Sequence, residues 1–163
     1  MTVTTNTATV RRSATDVVVG NGIAGSIKAL ISTVEIAASS SASTIDFGNI
    51  PSNARIMGNS RVYWDDLATS GSPTLDIGLF AVNGNITDDD DALNDGLAIS
   101  SASTASVGAQ VVKDIANLGL PAWDYVNGQA SDPGGVLKVK GTVKDAPTHT
   151  TGTVTLELYY VVD

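Results

Sequence analysis

Apolar and polar residues alternate with a period of two along much of this 163-residue chain. The alternation is clearest in the stretches 55–64, 74–82, 137–143 and 153–162, and it is weaker over 29–37. Successive side chains of a β-strand point to opposite faces of its sheet. Each stretch therefore predicts a strand with one buried face and one polar face.

Turn-forming residues set the predicted connections between these strands. Proline fixes φ and glycine tolerates φ values that other residues avoid, so the segments 51–53 and 70–73 predict a three-strand meander over 44–82. The last two strands predict a hairpin with a long connection over 145–151. A strand at the end of the chain is typical of a β-sandwich or jelly roll whose last strand is central.

Composition supports one all-β domain. Hydrophobic residues make up 42% of the chain and charged residues only 16%, which is typical of a globular core with a Ser- and Thr-rich surface. We expect an antiparallel β-sandwich or jelly-roll-like single domain over 29–163, preceded by an extended N-terminal arm over 1–28. The arm contains scattered single hydrophobic residues, and an edge strand is the alternative interpretation.

The charge balance argues against two classes of partner. The formal net charge is −8, whereas nucleic acids and anionic membrane surfaces are bound through clustered lysines and arginines. No run approaches the roughly 20 apolar residues that cross a bilayer. The first residues also lack the basic start and apolar core of a signal peptide. We therefore expect a soluble protein that binds neither nucleic acid nor membrane.

Residues for catalysis are scarce. The chain has no cysteine, and His149 is its single histidine. No G-x-S-x-G, G-x-G-x-x-G or G-x-x-x-x-G-K-[ST] motif is present, which argues against a serine nucleophile and a phosphate-binding loop. The adjacent acids Asp65 and Asp66 are interpreted as turn residues. The sequence predicts neither an enzyme nor a cofactor nor a metal centre.

An acidic run at Asp88–Asp91, followed by Asn94-Asp95-Gly96, leaves three interpretations open. Clustered carboxylates offer the oxygen ligands that calcium prefers, although their spacing differs from that of an EF-hand loop. The acids also suit the N-terminal end of a short helix around 90–94, where negative charge is favourable. The third interpretation is simple solvation.

Two aromatic residues, Trp123 and Tyr125, are spaced to share one side of a predicted strand. Such a pair is a candidate platform for an oligomer contact or for a ligand such as a sugar. Burial in the core is the alternative.

Three segments carry a resemblance to a known class of protein. They are IPSNARI at 50–56, VYWDDL at 62–67 and PTLDIGLF at 73–80, followed by the acidic stretch that leads into Asp95-Gly96. They lie within residues 50–96 and resemble small structural proteins of tailed bacteriophage virions, most of all capsid decoration, or cement, proteins. The resemblance rests on turns and strands and includes no catalytic signature.

The resemblance implies a location, a partner and a set of contact residues. It implies a protein made in the host bacterial cytoplasm that binds the major capsid protein on the outside of a phage head as an oligomer, commonly a trimer. In the arm, Arg11 and Arg12 are candidates for polar contacts with the shell, and Val17, Val18 and Val19 for apolar anchors. A phage tail or fibre component, or a β-sandwich that binds a carbohydrate receptor, is the alternative.

Overall fold

A computed structural model describes residues 5–7, 10–13, 26–107, 119–126 and 128–162. These residues form eleven β-strands and a short 3-10 helix, Ala122–Tyr125. The strands are β1 (Thr5–Thr7), β2 (Val10–Ser13), β3 (Lys28–Ile36), β4 (Thr44–Pro51), β5 (Ala54–Ile56), β6 (Arg61–Trp64), β7 (Thr74–Phe80), β8 (Asp89–Ala98), β9 (Ser103–Ser106), β10 (Val136–Lys144) and β11 (Gly152–Val162).

The strands form two sheets that pack face to face as a sandwich. Sheet A has the order β1-β4-β10-β7-β8, and sheet B has the order β2-β3-β11-β6-β9. The short strand β5 also pairs with β11. All pairings are antiparallel except that of β1, which runs parallel to β4.

The pairing of eight strands defines a jelly roll. Counted along the chain without β1, β2 and β5, the first strand pairs with the eighth, the second with the seventh, the third with the sixth and the fourth with the fifth. Successive pairs alternate between the two sheets, as in a long antiparallel hairpin wrapped around one core. The predicted all-β sandwich is confirmed, and β11 is a central strand of sheet B.

The core lies between the sheets and is mostly aliphatic. In β11, Val154, Leu156 and Leu158 are fully buried, and the residues between them are partly exposed. Phe47 in β4 and Leu79 in β7 are buried from the side of sheet A. The two-residue period of the sequence thus corresponds to the inward face of β3 and β11, where only that face is shielded from water. In β7 both faces are buried from Leu75 to Phe80.

Two predicted connections are wrong. The strands of the predicted meander do not pair with one another, since β4 and β7 lie on either side of β10 in sheet A, while β6 lies in sheet B. The predicted C-terminal hairpin is also absent, because β10 and β11 belong to different sheets. The connection over 145–151 crosses from one sheet to the other.

Two local predictions are wrong as well. The short helix predicted around 90–94 is part of the ten-residue strand β8, where pairing with β7 overrides the low strand propensity of aspartate. The strand predicted around Trp123 and Tyr125 is the 3-10 helix, which follows directly after Pro121.

A glycine allows β8 to lie close against β7. A Cβ atom built on Gly78 would overlap the carbonyl oxygen of Asp89 and would lie 2.5 Å from the Cα of Asp90. The pairing of β7 with β8 shifts register on both sides of Ile77, which brings the β8 backbone over this position.

We expect Gly78→Ala to lower the free energy of unfolding by about 2 kcal/mol, because the new methyl group meets backbone that cannot rotate away. Gly141→Ala is the matched control, since the atom nearest to its added Cβ is a side-chain methyl of Leu75 at 3.0 Å. Chemical denaturation of both variants measures the difference. A loss of less than about 0.5 kcal/mol in Gly78→Ala would show that β8 does not approach Gly78 as described.

Candidate interaction surfaces

The outer face of sheet A carries a network of lysines and aspartates. The central strand β10 supplies Lys138, Lys140 and Lys144 at alternating positions. Lys138 Nζ lies 3.3 Å from Asp46 on β4, and Lys140 Nζ lies 4.5 Å from the ring centre of Phe80 on β7. Each lysine of this face thus contacts a neighbouring strand of the sheet.

Lys144 joins two aspartates on the other side of β10. Its Nζ lies 2.5 Å from Asp90 on β8 and 3.7 Å from Asp76 on β7. Asp76 is buried and accepts a hydrogen bond from the backbone N–H of Gly96 at 2.8 Å. Burial raises the pKa of the Asp76 carboxyl, while the Gly96 hydrogen bond and Lys144 act in the opposite direction. The lysines of this face are mostly paired with aspartates of the same chain. We therefore expect the outer face of sheet A to be stable in contact with water.

The acidic run lies on β8, the edge strand of sheet A. Asp88, just before the strand, accepts a hydrogen bond from the backbone N–H of Ala81 at 2.7 Å. A hydrogen bond with Asp89 raises the pKa of Asp91 to about 6, with added contributions from burial and from the charges of Asp89, Asp90 and Asp95. Asp91 therefore keeps its proton in mildly acidic solution and shares it with Asp89 through this hydrogen bond.

Calcium binding by this run gains no support from the geometry. In the part of the chain that the structure describes, no group of three or more His, Cys, Asp or Glu side chains is placed to hold a metal ion. The run instead places negative charge along a sheet edge. Charge on an edge strand opposes pairing with the edge of another sheet, because like charges would be brought together.

The outer face of sheet B is less charged. Its cross-strand rows place Thr33 beside Thr155 and Thr155 beside Tyr63. The hydroxyl oxygens of Thr33 and Thr155 are 2.9 Å apart. Tyr63 is 38% exposed, and its hydroxyl donates to Glu157 at 3.5 Å. Exposed tyrosine among threonines is a favourable composition for a protein contact, since aromatic area is buried at low entropic cost.

The aromatic pair is divided between core and surface. Tyr125 is fully buried, and burial raises the pKa of its hydroxyl. Trp123 is half-buried against the core, and its backbone N–H donates to the Ser52 carbonyl at 3.0 Å. Arg55 fixes the preceding segment through a 2.8 Å hydrogen bond from Nη1 to the Gly119 carbonyl. Of the two predicted platform residues, Trp123 therefore keeps exposed surface and Tyr125 belongs to the core.

The remaining candidate residues lie in the N-terminal segment and in one loop. Arg11 and Arg12 are in β2, where they pair with Ser32 and Ile31 of β3. Residues 17–19 lie outside the described residues. His149 is exposed, and its backbone N–H donates to the Leu67 carbonyl at 3.0 Å. No helix of the described residues is long and apolar enough to span a membrane.

Asp65 has a structural role at the end of β6. Its Oδ2 accepts hydrogen bonds from the Thr153 backbone N–H at 2.7 Å and from the Thr153 hydroxyl at 2.8 Å. These two bonds lower the pKa of Asp65. The carboxylate holds the start of β11 against β6, which fits its interpretation as a structural residue.

The shared proton on β8 makes stability depend on pH. Because the pKa of Asp91 is near 6 in the folded chain and 3.8 without these interactions, only the folded state holds this proton between those values. The associated stability is therefore lost as the pH rises from about 4 to about 6. We expect Asp91→Asn to make this decline in melting temperature shallower, because the amide cannot ionise.

Thermal unfolding at intervals from pH 4 to pH 7 measures the effect. Glu35→Gln, on the exposed face of β3, is the control and should keep the wild-type slope. The pKa of Asp76 is also raised, so Asp76 adds to the decline in melting temperature as the pH rises. This part of the decline remains in both variants. Parallel profiles for the wild type and Asp91→Asn would exclude the shared proton.

Comparison with known proteins finds a similarity of fold to a solved structure. No protein-family model matches the chain, and no curated protein sequence matches it. The fold is similar to that of a chain in the solved structure of the cyanophage Pam1 capsid asymmetric unit, with a TM-score of 0.60 and 19% sequence identity. The similarity covers 90% of this chain and 91% of that chain, so the two share one fold over nearly their whole lengths.

Proposed function

We propose that this chain is a structural protein of a tailed-phage virion, and specifically a decoration protein that binds the outside of the capsid and stabilises the shell. The observation that supports the proposal is the fold shared with a chain of a phage capsid asymmetric unit over nine-tenths of both chains. The segments at 50–56, 62–67 and 73–80 support it independently through their resemblance to virion proteins.

The proposed role is mechanical. A protein that bridges neighbouring shell subunits adds its own binding free energy to their association, and the shell must break these contacts before it opens. An oligomer that engages several subunits at once gains further from the high effective concentration of its second and third sites. On the shell we propose a homotrimer, the state that the resemblance to decoration proteins implies. Such a role needs no catalytic group, which agrees with the residues of this chain.

The two outer faces suit different environments. Sheet A presents lysines and aspartates that are already paired within the chain, so contact with a partner would require their desolvation. Sheet B presents threonines and the exposed Tyr63. Among the outward-facing residues of its three central strands only Glu35, Arg61 and Glu157 are charged, so burial of this face desolvates less charge. We therefore propose that sheet B faces neighbouring protein and that sheet A faces solvent. The major capsid protein is the proposed partner, with Arg11, Arg12 and residues 17–19 as its proposed contacts.

Nothing in the site geometry favours the carbohydrate-binding alternative. That interpretation required Trp123 and Tyr125 to form an exposed platform, and Tyr125 is buried. The immunogold experiment below distinguishes a tail or fibre location from a location on the head.

Immunogold labelling of particles from a lysate of the encoding phage tests the location. We expect label distributed over the heads, since a decoration protein binds the repeating shell lattice. Heads stripped of the protein should lose their genome at a lower temperature than intact heads, and adding back the purified protein should restore the difference. Label confined to tails would instead assign the chain to a tail or fibre, and unlabelled particles would contradict a virion role.

Arg11 and Arg12 supply a test of the proposed contacts. We expect Arg11→Ala and Arg12→Ala, made singly, to weaken binding to stripped heads about tenfold each, because a hydrogen bond to a charged group contributes roughly 1.5–3 kcal/mol. Quantitative co-sedimentation with heads measures the affinity.

Lys140→Ala is the charge-matched control for these variants. Its side chain lies on the outer face of sheet A, which the proposal assigns to solvent, so head binding should be unchanged. Light scattering should give all three variants the wild-type mass. Wild-type affinity of both arginine variants would remove these residues from the interface.

A further inference from the structure

The two edges of the sandwich are protected in different ways. At one edge, β8 carries the acidic run, and its pairing with β7 shifts register twice. Charges and bulges of this kind oppose the addition of a further strand. At the other edge, β3 and β4 would each end a sheet if they were not covered by β2 and β1. We call residues 5–7 and 10–13 together the N-terminal clasp.

The clasp is held by short backbone pairings. Strand β1 makes three parallel pairs with β4, from Thr5 beside Thr44 to Thr7 beside Asp46. Strand β2 makes four antiparallel pairs with β3, from Val10 beside Thr33 to Ser13 beside Leu30. Main-chain pairing of this kind is the general means by which a sheet edge accepts an added strand. The same pairs form whether the strand belongs to the same chain or to a second copy.

The connection between the clasp and the domain is long. Fourteen residues separate Ser13 from Lys28, and they include Gly20, Gly22 and Gly25. Hairpin connections usually have about 2–5 residues. Fully extended, this connection spans about 50 Å, whereas a 163-residue domain has a radius of gyration of about 15 Å. The clasp is therefore able to reach the edge of an adjacent copy without breaking the fold of its own domain.

We infer that the edge formed by β3 and β4 is a strand-acceptor site, and that in the assembled protein its occupant is the clasp of a second copy. The contacts are the same in both arrangements, so their balance depends on effective concentration. A connection of fourteen residues holds the chain's own clasp at an effective concentration on the order of millimolar. When copies pack side by side, the effective concentration of a neighbour's clasp exceeds that value. In dilute solution the concentration of other clasps stays below it. The inference does not depend on the proposed capsid role.

The absence of native cysteine allows a direct test. Val10 and Thr33 are opposite one another in the pairing of β2 with β3, so Val10→Cys with Thr33→Cys places two thiols within disulfide reach. The full-length variant is unfolded under reducing conditions and refolded at micromolar and at millimolar concentration. It is then treated with a mild thiol oxidant and analysed on a non-reducing denaturing gel. We expect a monomeric disulfide from the dilute sample and disulfide-linked multimers from the concentrated one.

Thr33→Cys with Thr155→Cys is the matched control. These positions are also cross-strand neighbours, with their native hydroxyl oxygens 2.9 Å apart, but both belong to the folded domain of one chain. We expect this variant to form only a monomeric disulfide at every concentration. A monomeric disulfide at all concentrations from the Val10 variant would overturn the inference. The inference would also be overturned if the Val10 variant formed no disulfide, or if both variants formed multimers in equal proportion.

Discussion

The pairing of β3 with β11 is the constraint on which the rest of the fold depends. It joins nine residue pairs, from Ile36 beside Gly152 to Lys28 beside Tyr160, and makes the first strand of the jelly roll a neighbour of the last. β11 also pairs with β5 and β6, so sheet B has no centre until the end of the chain is in place. The hydrogen bond between Thr33 and Thr155 closes a loop of 122 residues. Because the entropy of such closure is lost before the contacts form, we expect slow folding with late assembly of sheet B.

The individual strands could be predicted because burial acts locally on each residue. Val154, Leu156 and Leu158 of β11 alternate with residues of the outer face, and their buried positions follow that pattern. Pairing partners could not be predicted in the same way, because an inward-facing valine or leucine has the same pattern in either sheet. For this reason the sequence predicts one hairpin for β10 and β11, although they lie in opposite sheets. Their short separation in sequence favours a hairpin, whereas the wrapping of the roll places them in different sheets.

For the candidate site residues, prediction from the sequence is limited in the same way, here within short segments of the chain. Trp123 and Tyr125 fit a period of two, but two residues are too few to distinguish a strand from the 3-10 helix that follows Pro121. The acidic run has low strand propensity, and its place at a sheet edge is set by the approach of β8 to Gly78 and by the contact of Asp90 with Lys144. Neither partner lies close to the run in sequence. The charge pattern was visible in the sequence, whereas its function at an edge required the topology.

The distribution of charge and of sheet edges makes the two sheets differ in how readily they associate with another protein. Sheet A pairs its charges internally and ends in an acidic, bulged strand, so both its outer face and its β8 edge resist association with another protein. Sheet B has fewer charges on its outer face, and its β3 edge is covered by a short strand from the N-terminal segment. The features that permit association thus lie on sheet B and along the edge covered by the clasp. The proposed contact with a regular shell lattice requires this asymmetry, because a sandwich with two permissive faces would also assemble away from the lattice.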